Sequence, residues 1–293
     1  MISEIFIIGA KGDLVYSKTF FGVNHRDKET IKFLTSINYV GQKVIGEHIR
    51  SLKFENFTYM YSQDEQENLF IIVSDIKDPE EEVRSKIILL KEEYYKQQTK
   101  LGEPGGNSIK AEDLDDFALD QIYVPPRILL VGETGVGKST IMNLFPGETI
   151  LELDNDMNET IEKVVNLTDL KGITQYTIRE VNFQNLVERA KDYSSLIKSV
   201  NIICIVTNSG AGNLSRTMGL FNRLKDQVEK ADFYILANFQ DSVNSAFDPD
   251  KIRESFGITT FGFSANQKDS REHIYMIIKR MLEISIIEKF EKR

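Results

Sequence analysis

Residues 127 to 140 read R-I-L-L-V-G-E-T-G-V-G-K-S-T, and their interpretation decides the architecture of the second half of the chain. An apolar run of strand length leads into Gly132, and the helix-forming T-I-M-N-L-F follows Ser139. Between them Gly132, Gly137, Lys138 and Ser139 fill the spacing G-x-x-x-x-G-K-[ST] in the strand-to-helix context that pattern requires. Glycines let successive backbone N–H groups converge on phosphate oxygens, and the new helix presents its positive end to them. Gly132, Thr134, Gly135, Val136 and Gly137, with Lys138, Ser139 and Thr140 opening the helix, are therefore expected to cradle phosphates. Lys138 would neutralise β/γ charge, and the Ser139 hydroxyl is the expected ligand for Mg²⁺.

Downstream, apolar runs recur at 201–206 (N-I-I-C-I-V), 232–237 (D-F-Y-I-L-A) and 259–264 (T-T-F-G-F-S), separated by amphipathic segments. Strands alternating with helices predict a mostly parallel sheet covered on both faces, with ligands at the carboxyl ends of the strands. After the second run stand Asn238, Phe239, Gln240 and Asp241; within and after the third stand Ser264, Ala265 and Asn266. In sequence and placement these resemble the N-K-x-D and S-A-K motifs of Ras-like small GTPases. The resemblance implies a six-stranded, mostly parallel small-GTPase sheet and a GTP or GDP ligand with Mg²⁺. Asp241 would accept hydrogen bonds from the guanine N1–H and exocyclic amine, a pattern adenine cannot offer, and an unpaired buried acceptor costs about 1–3 kcal/mol. Phe239 replaces the usual Lys and could stack on the purine. Asn266 replaces the Lys of the last motif.

In such proteins a first switch supplies a Thr to Mg²⁺ and the γ-phosphate. N-E-T-I-E at 158–162 resembles it, making Thr160 the leading metal-binding and catalytic residue, with Thr168 and Thr174 as rivals. The second switch, D-x-x-G followed by a water-positioning Gln, falls by spacing on V-N-F-Q-N-L at 181–186. There Asn182 replaces the Asp, Asn185 the Gly and Leu186 the Gln. An amide lacks the charge a carboxylate brings to a divalent cation, so weaker Mg²⁺ binding is expected. Gln184 is the remaining residue that could position water. Arg179, Arg189 and Arg216 are either charges placed near the γ-phosphate or ordinary surface charges.

Upstream, L-G-E-P-G-G-N-S-I-K followed by an acidic stretch predicts a linker over 101–120, dividing the chain into domains at 1–100 and 121–293. Residues 4–9 and 13–20 predict a hairpin around Lys11-Gly12, and 29–45 a helix with Ile31, Leu34, Ile37, Val40 and Val44 on one face. Strands near 49–54, 56–62 and 68–75 follow. Asp78-Pro79-Glu80-Glu81 then opens a helix whose apolar stripe is Val83, Ile87, Leu90 and Tyr94. This order of two strands, helix, three strands and helix, with its opening E-I-F-I-I-G-A-K-G-D-L-V-Y-S-K, resembles the longin domain of membrane-trafficking proteins. A roadblock-type module, or an unrelated α+β domain, is the alternative. The resemblance implies an α+β domain with a five-stranded antiparallel sheet, a surface for protein effectors or regulators, and dimerisation through longin surfaces. A longin domain ahead of a GTPase is similar to archaeal longin-GTPase fusions and, in domain order, to the α subunit of the signal recognition particle receptor.

The 293 residues are 41% hydrophobic and 28% charged, as in an ordinary globular protein. The net charge of −9 disfavours a nucleic-acid partner. Three scattered His and one Cys exclude an intrachain disulfide and argue against a zinc site. Cys204, inside I-I-C-I-V, is expected to be buried packing. Without a signal-peptide pattern, lipidation motif or spanning apolar run, the expected location is the cytoplasm, with any membrane contact made through partners. The functions these features leave open are a guanine-nucleotide switch with slow hydrolysis, a longin scaffold that holds nucleotide structurally, and a P-loop ATPase. Whichever holds, Lys138→Ala should abolish triphosphate binding in calorimetry; unchanged affinity would refute the phosphate-loop assignment.

Overall fold

The structure, a computed structural model, describes residues 1–22, 28–100, 111–147, 149–153, 159–168, 170–228, 231–242 and 244–291. It divides into two units, Met1–Val124 with Ile287–Arg293, and Pro125–Ile286.

In the first unit the elements run β1 (Ile2–Ile8), β2 (Leu14–Thr19), α1 (Lys28–Val40), β3 (Ser51–Lys53), β4 (Phe57–Gln63), β5 (Leu69–Asp75), α2 (Glu80–Lys100) and α3 (Ala111–Phe117). The strands form a five-stranded sheet in the order β2-β1-β5-β4-β3, every neighbouring pair antiparallel. Central β5 explains why L-F-I-I-V is continuously apolar. Leu69, Ile71 and Val73 pack with Ile31 and Leu34 of α1, while Phe70 on the opposite face meets Tyr94 of α2 edge-on, the ring centroids 5.4 Å apart. A strand covered on both faces has no polar side to show. The α2 stripe is as expected, with Val83, Ile87, Leu90 and Tyr94 all buried.

Two expectations fail here. The helix of 29–45 ends at Val40 and continues as a wider turn over Gly41–Ile45, closed by Gly46 at φ 76°. Val40, at the end of α1, is 52% exposed because the buried face runs through Ile31, Leu34 and Asn38, and Val44, beyond the change of pitch, is 77% exposed. Residues 111–120, read above as linker, are instead helical: α3 runs on into a wide turn over Ala118–Ile122. Leu114, Ala118 and Ile122 recur every four positions and are fully buried, a stripe masked in the sequence by the acids between them. Asp115 fixes the helix further, accepting from the Tyr16 hydroxyl at 2.9 Å and pairing with Lys18 at 3.1 Å. Residues 101–110 lie outside the described residues.

The second unit runs β6 (Arg127–Gly132), α4 (Lys138–Met142), β7 (Thr149–Leu153), β8 (Glu159–Asn166), β9 (Gln175–Asn182), α5 (Phe183–Glu188), α6 (Ser194–Ser199), β10 (Ile202–Thr207), α7 (Ala211–Lys225), β11 (Asp232–Ala237), α8 (Pro249–Phe256), β12 (Thr260–Gly262) and α9 (Ser270–Leu282). Among the described residues the sheet has seven strands, not the six expected, in the order β12-β11-β10-β6-β9-β8-β7. The four pairings from β12 to β9 are parallel; β8 and β7 join antiparallel. The extra strand is β7, T-I-L-E-L, which pairs with β8 at the sheet edge. One face packs Leu129, Val131, Ile203, Ile205 and Ile235 against Phe183, Leu186, Phe221 and Phe256. Residues of opposite parity, Ile128, Leu130 and Cys204, are also buried. Cys204 is fully enclosed as expected, and burial pushes its thiol up to about 12, far from reactivity at neutral pH.

Leu114→Ala should destabilise the protein by about 2–5 kcal/mol in urea unfolding, the range for emptying a packed leucine site. Exposed Asp116→Ala should stay within about 0.5 kcal/mol. Equal, negligible effects would mean that residues 111–122 are a tether after all.

Candidate functional site

Parallel strands leave a crevice at their carboxyl ends, and β6 lies at its centre between β10 and β9. Gly132, the last residue of β6, faces Asn182 across the β9 ladder. A Cβ at Gly132 would sit 2.7 Å from the Val206 carbonyl oxygen, so only glycine permits this approach. Gly135 and Gly137 have φ of 85° and 95°, and a Cβ at Gly137 would collide with the Asn238 side chain. The chain then enters α4, five residues long, with the Ile141 N–H bonded to the Gly137 carbonyl at 3.0 Å. Lys138 curls over the loop and donates from Nζ to the carbonyls of Gly132 and Glu133 at 2.8 and 2.9 Å. Burial lowers its pKa, and the carboxylates of Glu180 and Glu133 pull the other way.

The Asn238 side chain joins this loop to the next turn. Its Nδ2 donates to the Val136 carbonyl at 3.0 Å, and its Oδ1 accepts from the Ala265 N–H at 3.2 Å. The residue is 1% exposed; its bond to Val136 is buried and its bond from Ala265 half-buried. The Ser209 hydroxyl donates to the Asn238 carbonyl at 2.7 Å, and Gln240 Nε2 donates to that hydroxyl at 2.9 Å. Phe239 adopts φ 64°, which a bulky residue occupies only where its surroundings hold it, and its half-buried ring lies beside Gly137. The Asp241 N–H donates to buried Ser264 Oγ at 3.0 Å, which leaves the exposed carboxylate free of that bond. The phosphate loop, Asn238, Phe239, Asp241, Ser264 and Ala265 are thus brought together, with exposed Asn266 at the rim.

On the opposite flank, V-N-F-Q-N-L passes from β9 into α5. Asn182 caps that helix, its Oδ1 accepting from the Asn185 N–H at 3.2 Å, and its Nδ2 reaches Thr134 Oγ1 at 3.4 Å. Leu186 is fully buried with Phe183 and Val187. Exposed Gln184 donates to Glu188 on the next turn of α5 at 3.0 Å, away from the role of water positioner. Thr160 belongs to β8, opposite Glu152. The register Glu162↔Arg179 sets its end of β8 beside the Asn182 end of β9, where the phosphate loop emerges. Thr168 and Thr174 instead lie in the turn between β8 and β9, at the far end of β9. Arg179 pairs with Glu162 at 3.7 Å and Arg189 with Asp192 at 2.9 Å, whereas Arg216 reaches the loop.

Sequence reasoning missed the partners of the loop. Glu133 accepts from Arg216 Nε at 2.9 Å and from Asn213 Nδ2, and these bonds, Arg216 first, hold its carboxyl below the usual range. Asn213 Oδ1 in turn accepts from Thr207 Oγ1 at 2.6 Å. Glu180 accepts from the Ser139 hydroxyl at 3.1 Å. The signal for Glu180 was strand period two, since it shares a face with Asn182. No local signal marks Asn213, and of the three arginines considered above only the fold brings Arg216 to the loop. Among the described residues no group of three or more His, Cys, Asp or Glu side chains is placed to hold a metal ion.

No protein-family model and no curated protein matches the chain. Among solved structures it is similar to the G domain of the T. maritima FeoB iron transporter, at 17% identity and TM-score 0.41 over 54% of this chain and 99% of that one. The FeoB G domain from Methanococcus jannaschii gives 21% and 0.40, over 55% and 99%. The cytosolic domain of T. maritima FeoB in its GMPPNP form gives 18% and 0.40, over 55% and 66%. These values are too low for the likeness to carry function, and the site stands on its own geometry.

Asn238→Ala would leave the Val136 carbonyl and the Ala265 N–H unpaired, at about 1–3 kcal/mol for each buried group. The expected result is lower stability together with faster amide hydrogen exchange at Ala265. Unchanged exchange there would show that Asn238 does not tie the two turns.

Proposed function

We propose that residues 125–286 form a guanine-nucleotide-binding P-loop module that hydrolyses GTP slowly at most, and that the first unit is a longin-like platform for protein partners. The observation that carries the nucleotide reading is the bridge made by Asn238 from Val136 to Ala265. It sets N-F-Q-D beside a phosphate loop, so that one ligand could place phosphates on the loop and a base edge against Asp241. Exposed Asp241 then supplies paired acceptors that suit guanine, and the Phe239 ring offers the base a flat apolar neighbour. The first unit's element order is the one on which the longin resemblance rests, and its described helices include none long and apolar enough to cross a membrane. Protein effectors, a longin-mediated homodimer and a part in membrane organisation follow from that resemblance alone, and a cytoplasmic location from the sequence features noted above.

The donor set fits Mg²⁺. Ser139 and Glu180 offer hard oxygens, and Mg²⁺ is ordinarily held by one or two carboxylates together with substrate phosphates and water. Thr160, on the adjoining strand, belongs to the same proposal. When bound, the cation would neutralise phosphate charge.

A second reading, nucleotide held structurally without cycling, is favoured by the second-switch segment. Asn182 occupies the Asn185 N–H, the group that would approach a γ-phosphate, and Leu186 is buried where a water-positioning side chain would be needed. Bound nucleotide would still stabilise the fold, by about 2.7 kcal/mol at a hundredfold excess over Kd.

Chromatography of nucleotide released on denaturing the purified protein should yield guanine nucleotide, and competition binding should favour GTP over ATP. Adenine in that fraction, or equal affinities, would overturn the base assignment. Single-turnover hydrolysis should run no faster than the order of 10⁻⁴ s⁻¹ known for unassisted Ras. A rate near 1 s⁻¹ would overturn the slow-hydrolysis reading.

A further inference from the structure

From the contact between Ser139 and Glu180 we infer that the carboxylate serving the divalent cation has moved two residues along β9, from the position of Asn182 to Glu180. This rests on the reading of the phosphate loop as a nucleotide site.

Three observations converge on it. Asn182 is committed elsewhere: its side-chain oxygen caps α5 and its amide nitrogen turns to Thr134. Glu180 shares the Asn182 face of β9 because side chains alternate along a strand, and it lies opposite Leu130 where Asn182 lies opposite Gly132. From there its carboxylate receives the hydroxyl of Ser139, with oxygen separations of 3.1 and 3.4 Å. Two neighbouring ligands on an octahedral Mg²⁺, each at about 2.0–2.1 Å, stand about 3.0 Å apart. The pair is therefore already spaced as adjacent ligands, with the hydroxyl proton standing in the cation's place. When a cation enters, the hydroxyl turns a lone pair to it and the proton points away; no group needs to ionise.

Electrostatics gives this arrangement a signature. Glu180 faces the charge of Lys138, as the opposing effects on that lysine show. Without a cation, the same carboxylate stands close to where phosphate oxygens would bind and repels them. Glu180 should thus oppose triphosphate binding in the absence of metal and favour it in its presence.

The test measures affinity for a fluorescent, non-hydrolysable GTP analogue on the full chain, in Mg²⁺ and in EDTA, for wild type, Glu180→Gln and Glu180→Ala. Thermal melting verifies that each variant is folded. Wild type should bind at least tenfold more tightly in Mg²⁺, the scale by which ligands and their supporting groups alter metal affinity. Both variants should lose most of that ratio, by binding more weakly in Mg²⁺ and more tightly in EDTA. A merely structural role would weaken binding in both conditions alike, and that result, or an unchanged ratio, would overturn the inference. Absence of nucleotide binding by wild type in either condition would instead overturn the nucleotide reading, and the inference with it. Mn²⁺ titration followed by electron paramagnetic resonance, in the presence of the analogue, supplies a direct readout. Loss of tight Mn²⁺ uptake in both variants is expected, and retained uptake would refute the assignment.

Discussion

The buried amide of Asn238 is the constraint on which the second unit's working surface depends. One side chain satisfies a carbonyl in the phosphate loop and an N–H in the turn after β12, two segments separated by more than a hundred positions in sequence. The Val136 carbonyl bond is buried, so the phosphate loop cannot shift away from Asn238 without leaving a polar group unpaired. The glycine at 137 is part of the same constraint, because its missing Cβ is the space the amide occupies. Phe239 is then fixed in a left-handed conformation by bonds on both sides of it, which accounts for a backbone angle that an unsupported aromatic residue would not keep.

Across the crevice the physics runs toward immobility too. A switch needs two states of similar free energy, and segments that move are drawn from the least stable parts of a fold. Here Phe183, Leu186 and Val187 are all buried in the core of the second unit. Pulling α5 toward a phosphate would expose side chains each worth about 1.5–3 kcal/mol when buried, and would break the Asn182 cap as well. A single γ-phosphate contact, at about 1.5–3 kcal/mol for a hydrogen bond to a charged group, does not balance that sum. Residues 181–186 therefore act together as a capped, core-anchored helix start rather than as a segment free to move.

What could be read from the sequence was what is local. The phosphate loop, the N-F-Q-D turn and the strands before them each depend on residues within about ten positions, and all appear where spacing places them. The α2 stripe was legible for the same reason. Failures occurred where a distant partner decides the outcome. Thr149–Leu153 is a strand because β8 is beside it, and Ala111–Ile122 is helical because a sparse Leu114-Ala118-Ile122 stripe finds a surface to cover it. Asn213 and Arg216 are unremarkable helix residues until the fold brings them to Glu133, eighty positions earlier. Glu180 lay within reach, since strand alternation alone puts it on the face of Asn182, but attention to a fixed motif position conceals a carboxylate displaced by one strand repeat.

The charge layout around the loop explains why that displacement matters. The phosphate loop, whose proposed ligand would need positive charge, carries two carboxylates, Glu133 and Glu180, beside the ammonium of Lys138. Glu133 is matched by Arg216, so its charge is largely offset before any ligand arrives. Glu180 has the neutral hydroxyl of Ser139 against it and otherwise shares Lys138, whose ammonium the phosphates also need. Lys138 at rest is turned inward to the carbonyls of Gly132 and Glu133, and cannot serve both demands at full strength. A divalent cation between Ser139 and Glu180 resolves the conflict, because it pairs with the carboxylate and leaves the lysine to the phosphates. The acid that looks unfavourable beside an anion is thus the feature that would make the proposed site selective for nucleotide already carrying its metal.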